Sequence, residues 1–236
     1  MKVYLSRDLK DRNVYWETEN HNSFSIMALS GNGKSFLVNN IISIFKQKKY
    51  KIVIISDKAK VDYKDKETTR INPLEDHQEL EDFIEETHAL FKELKTEVEN
   101  SEYSHIKHLK KKANLIIILD ELWSIQKLEK EIRKKLVDLI ELIIRQGRFL
   151  DLFLIMASQI GKVSETDIPI RQASIMVLGK TDTRELSESL IGDSSCYDTP
   201  LKQGMFFYWD RQNRPKIIRV VPEKISLIKR IMRWIK

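Results

Sequence analysis

Cysteine is almost absent: Cys196 is the only one in 236 residues. A lone thiol excludes an internal disulfide framework and any cysteine-rich metal site, and makes a reducing, intracellular setting the default expectation. Glycine and proline are scarce too, at seven and five residues. No flexible Gly/Pro-rich linker, internal repeat or low-complexity segment interrupts the chain, and each glycine falls in a motif or at an expected element boundary. No apolar run is long enough to span a bilayer. Residues Met1–Asp8 lack the apolar centre of a signal peptide. What remains is 42% hydrophobic and 32% charged residues with a net charge of +6. That composition suits one globular α/β domain over residues 1–236 with a core of real size. A modest positive balance permits nucleic-acid binding without establishing it.

The most informative stretch is Ala28-Leu-Ser-Gly-Asn-Gly-Lys-Ser35. The apolar run Phe24–Leu29 before it reads as a short buried strand, and Phe36–Phe45 after it has a helical apolar pattern. Strand, small-residue loop, Lys-Ser and helix is the layout of a phosphate-binding P-loop. Backbone N–H groups of Ser30, Gly31, Asn32, Gly33, Lys34 and Ser35 would converge on phosphate oxygens at the positive end of the helix. Lys34 would reach the β- and γ-phosphates of ATP, and the Ser35 hydroxyl would hold Mg²⁺. Ala28 stands where the usual pattern opens with glycine.

The second half of such a site follows downstream. Leu115–Leu119 is a continuous apolar run that ends in Asp120-Glu121. Asp120 would hold the Mg²⁺ through water and Ser35, and Glu121 would polarise the water that attacks the γ-phosphate. Leu152–Ala157 is another buried strand, ending in Ser158-Gln159, a pair able to hydrogen-bond both the γ-phosphate and the attacking water. Lys51–Asp57 reads as a parallel strand buried on both faces. Its end, Asp57-Lys58, sits where open α/β sheets place ligands, and a simple loop charge pair is the competing account. Glu75–Val98 and Lys127–Arg145 read as amphipathic helices, and Ala173–Leu178 as a further core strand. Gly204–Trp209 and Lys216–Val221 read as a closing hairpin. Val3–Leu5 and Asn13–Trp16 are expected as edge strands. Trp16 could stack on adenine or cover a core edge; Phe206, Tyr208 and Trp209 face the same choice between bases and core. The basic stretch His105–Lys112 and the basic amphipathic helix Glu223–Lys236 are candidate contacts for phosphate backbones and for a membrane or partner, respectively.

In this order the elements resemble the FtsK/HerA superfamily of DNA-pumping ATPases from about Ser23 to Val221. The shared pieces are Ser30–Ser35, the strand ending Asp57-Lys58, Leu119-Asp120-Glu121, Gly147-Arg148, Ala157-Ser158-Gln159, Asp167–Arg171, Lys180–Arg184 and Gly204-Met205. The resemblance implies a RecA-like P-loop core: a mainly parallel sheet flanked by helices, with a C-terminal β-hairpin and terminal helix. It implies a homo-oligomeric ring, usually a hexamer, with double-stranded DNA in the pore and the ATP site between subunits. Arg148 then matches the arginine finger, with Arg145 as fallback and Arg184 as a second sensor, and Lys162 and Arg171 lie in the stretch that faces DNA. Ser158 in place of threonine, Ile160 in place of arginine and a shorter segment after Gln159 depart from the chromosome translocases. With neither membrane anchor nor winged-helix domain in the sequence, the expectation is a viral genome-packaging motor in the host cytoplasm or virion, docked to a membrane or portal through its last helix. A transfer motor of a mobile element is the alternative. A P-loop switch that docks on a membrane or partner through Glu223–Lys236 is a further reading, disfavoured because Leu29–Asn32 lacks the extra lysine of partition ATPases. A small-molecule kinase would need an Arg-rich lid, which the sequence does not offer.

Overall fold

The computed structural model describes residues 1–58, 68–100, 112–159 and 167–220. In chain order the strands and helices are β1 (Lys2–Asp8), β2 (Asn13–Glu17), β3 (Ser23–Met27), α1 (Lys34–Gln47), β4 (Lys51–Ile55), β5 (Thr69–Ile71), α2 (His77–Glu99) and β6 (Leu115–Asp120). Then come α3 (Lys130–Gln146), β7 (Leu152–Ser158), β8 (Ile175–Leu178), α4 (Arg184–Ile191), α5 (Ser195–Asp198), β9 (Met205–Trp209) and β10 (Lys216–Arg219). One ten-stranded sheet runs β2-β1-β10-β9-β8-β3-β7-β6-β4-β5. The six strands from β8 to β5 are parallel. The other four extend the sheet antiparallel from β8.

The apolar runs form central strands because both faces of the sheet are covered. Alternate residues of β6 and β7 serve different cores. Leu115, Ile117, Leu119, Leu152, Leu154 and Met156 pack with Leu80, Phe83 and Ile84 of α2 and Leu136, Leu139 and Ile140 of α3. Ile116, Ile118, Phe153 and Ile155 pack with Leu37, Val38, Ile41 and Phe45 of α1. Being parallel, these strands all end on one edge, where the residues directly after them lie.

The structure corrects one expectation and decides others that the sequence leaves open. β1 lies inside the sheet between β2 and β10, so among the described residues β2, not β1, is the edge strand on that side. Trp16 is fully buried against Phe24, Phe45 and Phe153 and donates its indole N–H to the His21 carbonyl at 2.7 Å. It is core, with no face left for a base. Phe206 and Tyr208 are buried as well. β5 carries no alternating apolar signal in Thr69-Arg70-Ile71 and forms because β4 offers it a parallel partner. Lys162, most of the basic stretch before β6 and the terminal helix from Glu223 lie outside the described residues.

Candidate functional site

A cavity of about 360 Å³ opens at the carboxyl edge of the parallel strands. Leu29, Ser30, Gly31, Gly33, Lys34, Ser35, Phe36, Lys58, Asp120, Glu121 and Gln159 line it. The loop after β3 folds tightly because Gly31 and Gly33 take φ of +78° and +94°, which side-chain-bearing residues rarely adopt. Gly33 caps α1, whose first turn has neither a side-chain cap nor an acid. Such a helix start presents N–H groups and positive potential to an anion.

Ala28 is fully buried and its methyl lies against Gly179 just after β8; a side chain at Gly179 would come within 2.9 Å of it. The methyl that the loop gains at position 28 is thus matched by one missing at position 179. From behind, the Gln203 side-chain amide donates to the Gly31 carbonyl at 2.7 Å and the Gly204 N–H to the Asn32 carbonyl at 3.2 Å.

Across the cavity, Lys34 Nζ is 4.0 Å from Asp120 Oδ1, with both side chains largely buried. Asp120 also accepts the Glu121 N–H at 3.0 Å. Glu121 has φ +58°, a left-handed conformation uncommon for a residue with a side chain. The chain turns there, and two consecutive acids both face the cavity. Glu121 Oε2 accepts from Gln159 Nε2 at 3.3 Å and lies 3.8 Å from Lys58 Nζ. Glu121 Oε1 is buried with no hydrogen-bond partner. Sequence reasoning left Lys58 undecided and did not single out Leu29, Phe36 or Gln203. Leu29 and Phe36 were at least within or beside the motif, whereas nothing local marks Gln203.

The hydroxyl of Ser35 and the carboxylate of Asp120 are hard oxygen donors on the same cavity. That pair fits Mg²⁺, which binds through few protein ligands and keeps waters and phosphate oxygens. Among the described residues no group of three or more His, Cys, Asp and Glu could hold a metal.

Arg148 is elsewhere. It sits in the 3₁₀ turn Gly147–Leu150 before β7, at the opposite end of that strand from Gln159. Seven residues of strand amount to about 20 Å. Arg148 is exposed, stacked 4.9 Å over the Phe149 ring, itself 40% exposed. Burial holds His21 below the usual histidine value against the pull of Asp210 and Glu17, and the Arg148 charge adds a little to the lowering. Gly147 is pinned beneath it: a side chain there would meet the Leu152 carbonyl at 2.8 Å. Arg145 pairs with Glu141 one turn back at 2.8 Å, and Arg184 with Asp198 at 3.0 Å. Arg171 is exposed beside the Arg211 guanidinium, which donates to its carbonyl.

With this geometry established, known structures supply the comparison. The conjugation coupling protein TcpA of pCW3, in a monomer form with ATPγS, overlays 100% of this chain and 70% of its own at a TM-score of 0.79 and 16% identity. The chain has the fold of the FtsK/HerA-type P-loop ATPases. The cytoplasmic domain of the type VII secretion ATPase EccC from Thermomonospora curvata overlays 99% of the chain at TM-score 0.70 and 17% identity, with 30% of that protein covered. The genome-packaging NTPase B204 of Sulfolobus turreted icosahedral virus 2, in complex with AMPPCP, overlays 86% of the chain and 99% of its own at TM-score 0.53 and 17% identity. No protein-family model and no curated protein matches the sequence. Among the described residues no helix is long and apolar enough to cross a membrane.

Proposed function

We propose that the protein hydrolyses ATP and uses the energy to move double-stranded DNA, with residues 1–236 acting as one motor domain in a homo-oligomeric ring. The observation that carries this reading is the placement of the candidate residues at opposite edges of the sheet. Lys34, Ser35, Asp120, Glu121 and Gln159 gather at one edge of the sheet, and an exposed Arg148 stands at the other. About 20 Å of strand keeps that arginine from its own cavity. A second copy docked head to tail brings it to a neighbour's γ-phosphate, where an arginine supplied in trans stabilises transition-state charge.

In the reaction, Glu121 Oε1 takes a proton from water as the water oxygen attacks the γ-phosphorus. The bond from that phosphorus to the β,γ-bridging oxygen breaks, and the oxygen leaves with the electron pair on ADP. Lys34 and the N–H groups of the Ser30–Ser35 loop offset the charge. Gln159 bridges Glu121 and the phosphate. Ser35, and Asp120 through water, would hold a Mg²⁺ ion, which when bound would offset phosphate charge. Grip on the phosphate backbone, with Arg171 and Lys162 as contacts, gives little sequence preference.

Likeness to TcpA over the whole chain supports a DNA-transfer role beside the viral packaging role that B204 supports. Likeness to EccC supports a polypeptide as the other cargo. The test is the ATPase rate of the chain with and without long duplex DNA, alongside a mass measurement with ATP. Stimulation by DNA and a ring mass bear the proposal out. A ring that ignores DNA favours a polypeptide cargo, and a monomer with a flat response overturns the motor.

A further inference from the structure

Lys58 follows β4, and sequence alone left it between a site residue and a surface charge. Its side chain reaches across the edge of the sheet to the cavity, where its Nζ lies 3.8 Å from Glu121 Oε2. Gln159 Nε2 donates to the same oxygen at 3.3 Å. Two groups from two neighbouring loops thus hold one oxygen of the carboxylate. The other, Oε1, is buried and unpartnered. Glu121 is 8% exposed and sits on a left-handed turn. An unpartnered buried acceptor is costly unless a ligand comes to meet it.

We propose that Lys58 is a positioning residue for Glu121: with Gln159 it clamps Oε2, so that Oε1 alone faces the cavity and receives the proton of the attacking water. This rests on the ATPase reading above. Proton transfer needs its acceptor within hydrogen-bond reach, and a displacement of about 1 Å costs up to about 100-fold in rate. A lysine suits the task because its charge holds the carboxylate without offering a second proton acceptor. Lys58 is half-exposed, so its replacement leaves the core untouched.

The experiment compares steady-state ATP hydrolysis of the full chain, with and without duplex DNA, for wild type, Lys58→Met, Lys58→Arg, Glu121→Gln and the Lys58→Met/Glu121→Gln double variant. Binding of a fluorescent ATP analogue is followed in parallel. Lys58→Met is expected to lower kcat by about 10–100-fold, with analogue affinity and KM almost unchanged. Lys58→Arg restores most of the rate. In the Glu121→Gln background Lys58→Met has no further effect, because the clamped group is gone. A wild-type kcat for Lys58→Met, a loss confined to KM, or a loss that multiplies with Glu121→Gln overturns the clamp. A wild-type chain that binds the analogue but never hydrolyses ATP overturns the ATPase reading itself, and is recognisable because the unmutated protein is silent.

Discussion

Gly179→Ala tests how the loop tolerates an alanine at its opening position. An added methyl would lie 2.9 Å from the Ala28 Cβ and 3.2 Å from its Cα. Carbon atoms pack best at about 3.5–4.0 Å, so the intrusion approaches 1 Å. Neither side gives way easily: the Ala28 N–H is bonded to the Ser158 carbonyl at 3.2 Å and the Gly179 N–H to the Met27 carbonyl at 2.7 Å. Gly179 has no positive φ, so the cost is contact alone. Overpacking of this kind costs about 1–3 kcal/mol. At about 2 kcal/mol, a chain of this length loses roughly 4–8 °C in Tm. Ala28→Gly in the same chain leaves one methyl between the two loops. That double variant should recover at least about 1 kcal/mol relative to the sum of the singles, measured as a coupling energy by urea denaturation. A Gly179→Ala protein as stable as wild type, or a double variant no better than additive, refutes the pairing of positions 28 and 179.

Glu121→Gln and Lys34→Ala should each keep the native circular dichroism while phosphate release falls by at least about 100-fold; full turnover by the Glu121→Gln protein removes it as the base. Arg148→Ala should lose about 10³-fold or more in kcat, and mixing it with Lys34→Ala subunits should restore part of the activity, since each supplies what the other lacks. Mixed rings that stay dead argue against an arginine in trans. Burial pushes the Cys196 thiol up to about 12, so at pH 8 it stays protonated and should resist Ellman's reagent until denaturant is added; prompt reaction in the native protein contradicts its buried placement. At neutral pH the thiol is protonated folded and unfolded alike, so the same shift costs nothing there, and it lowers stability as pH rises above the ordinary thiol value of about 8.5 toward 12.

The central strands were readable because each is buried on both faces, so Leu115–Leu119 and Leu152–Ala157 show as unbroken apolar runs. The loop glycines and the Asp120-Glu121 pair were readable because the chemistry restricts the residue types. β5 was not, since three residues with Thr69 and Arg70 carry no period. Lys58 could not be assigned because its partner depends on the turn at Glu121, which is set by φ rather than by a residue pattern. The bond from Gln203 to Gly31 joins residues 172 positions apart and leaves no local trace.

That last contact ties the phosphate loop to the far end of the chain. Gly204 donates to Asn32 and accepts from the Val220 N–H at 2.9 Å, directly after β10. Loop, glycine and hairpin thus form a strut of two hydrogen bonds from Asn32 to Val220. Nucleotide in the loop should then slow exchange of the Val220 amide. Hydrogen exchange at the Val220 amide, with and without nucleotide, measures the linkage; equal protection in both would mean the strut transmits nothing.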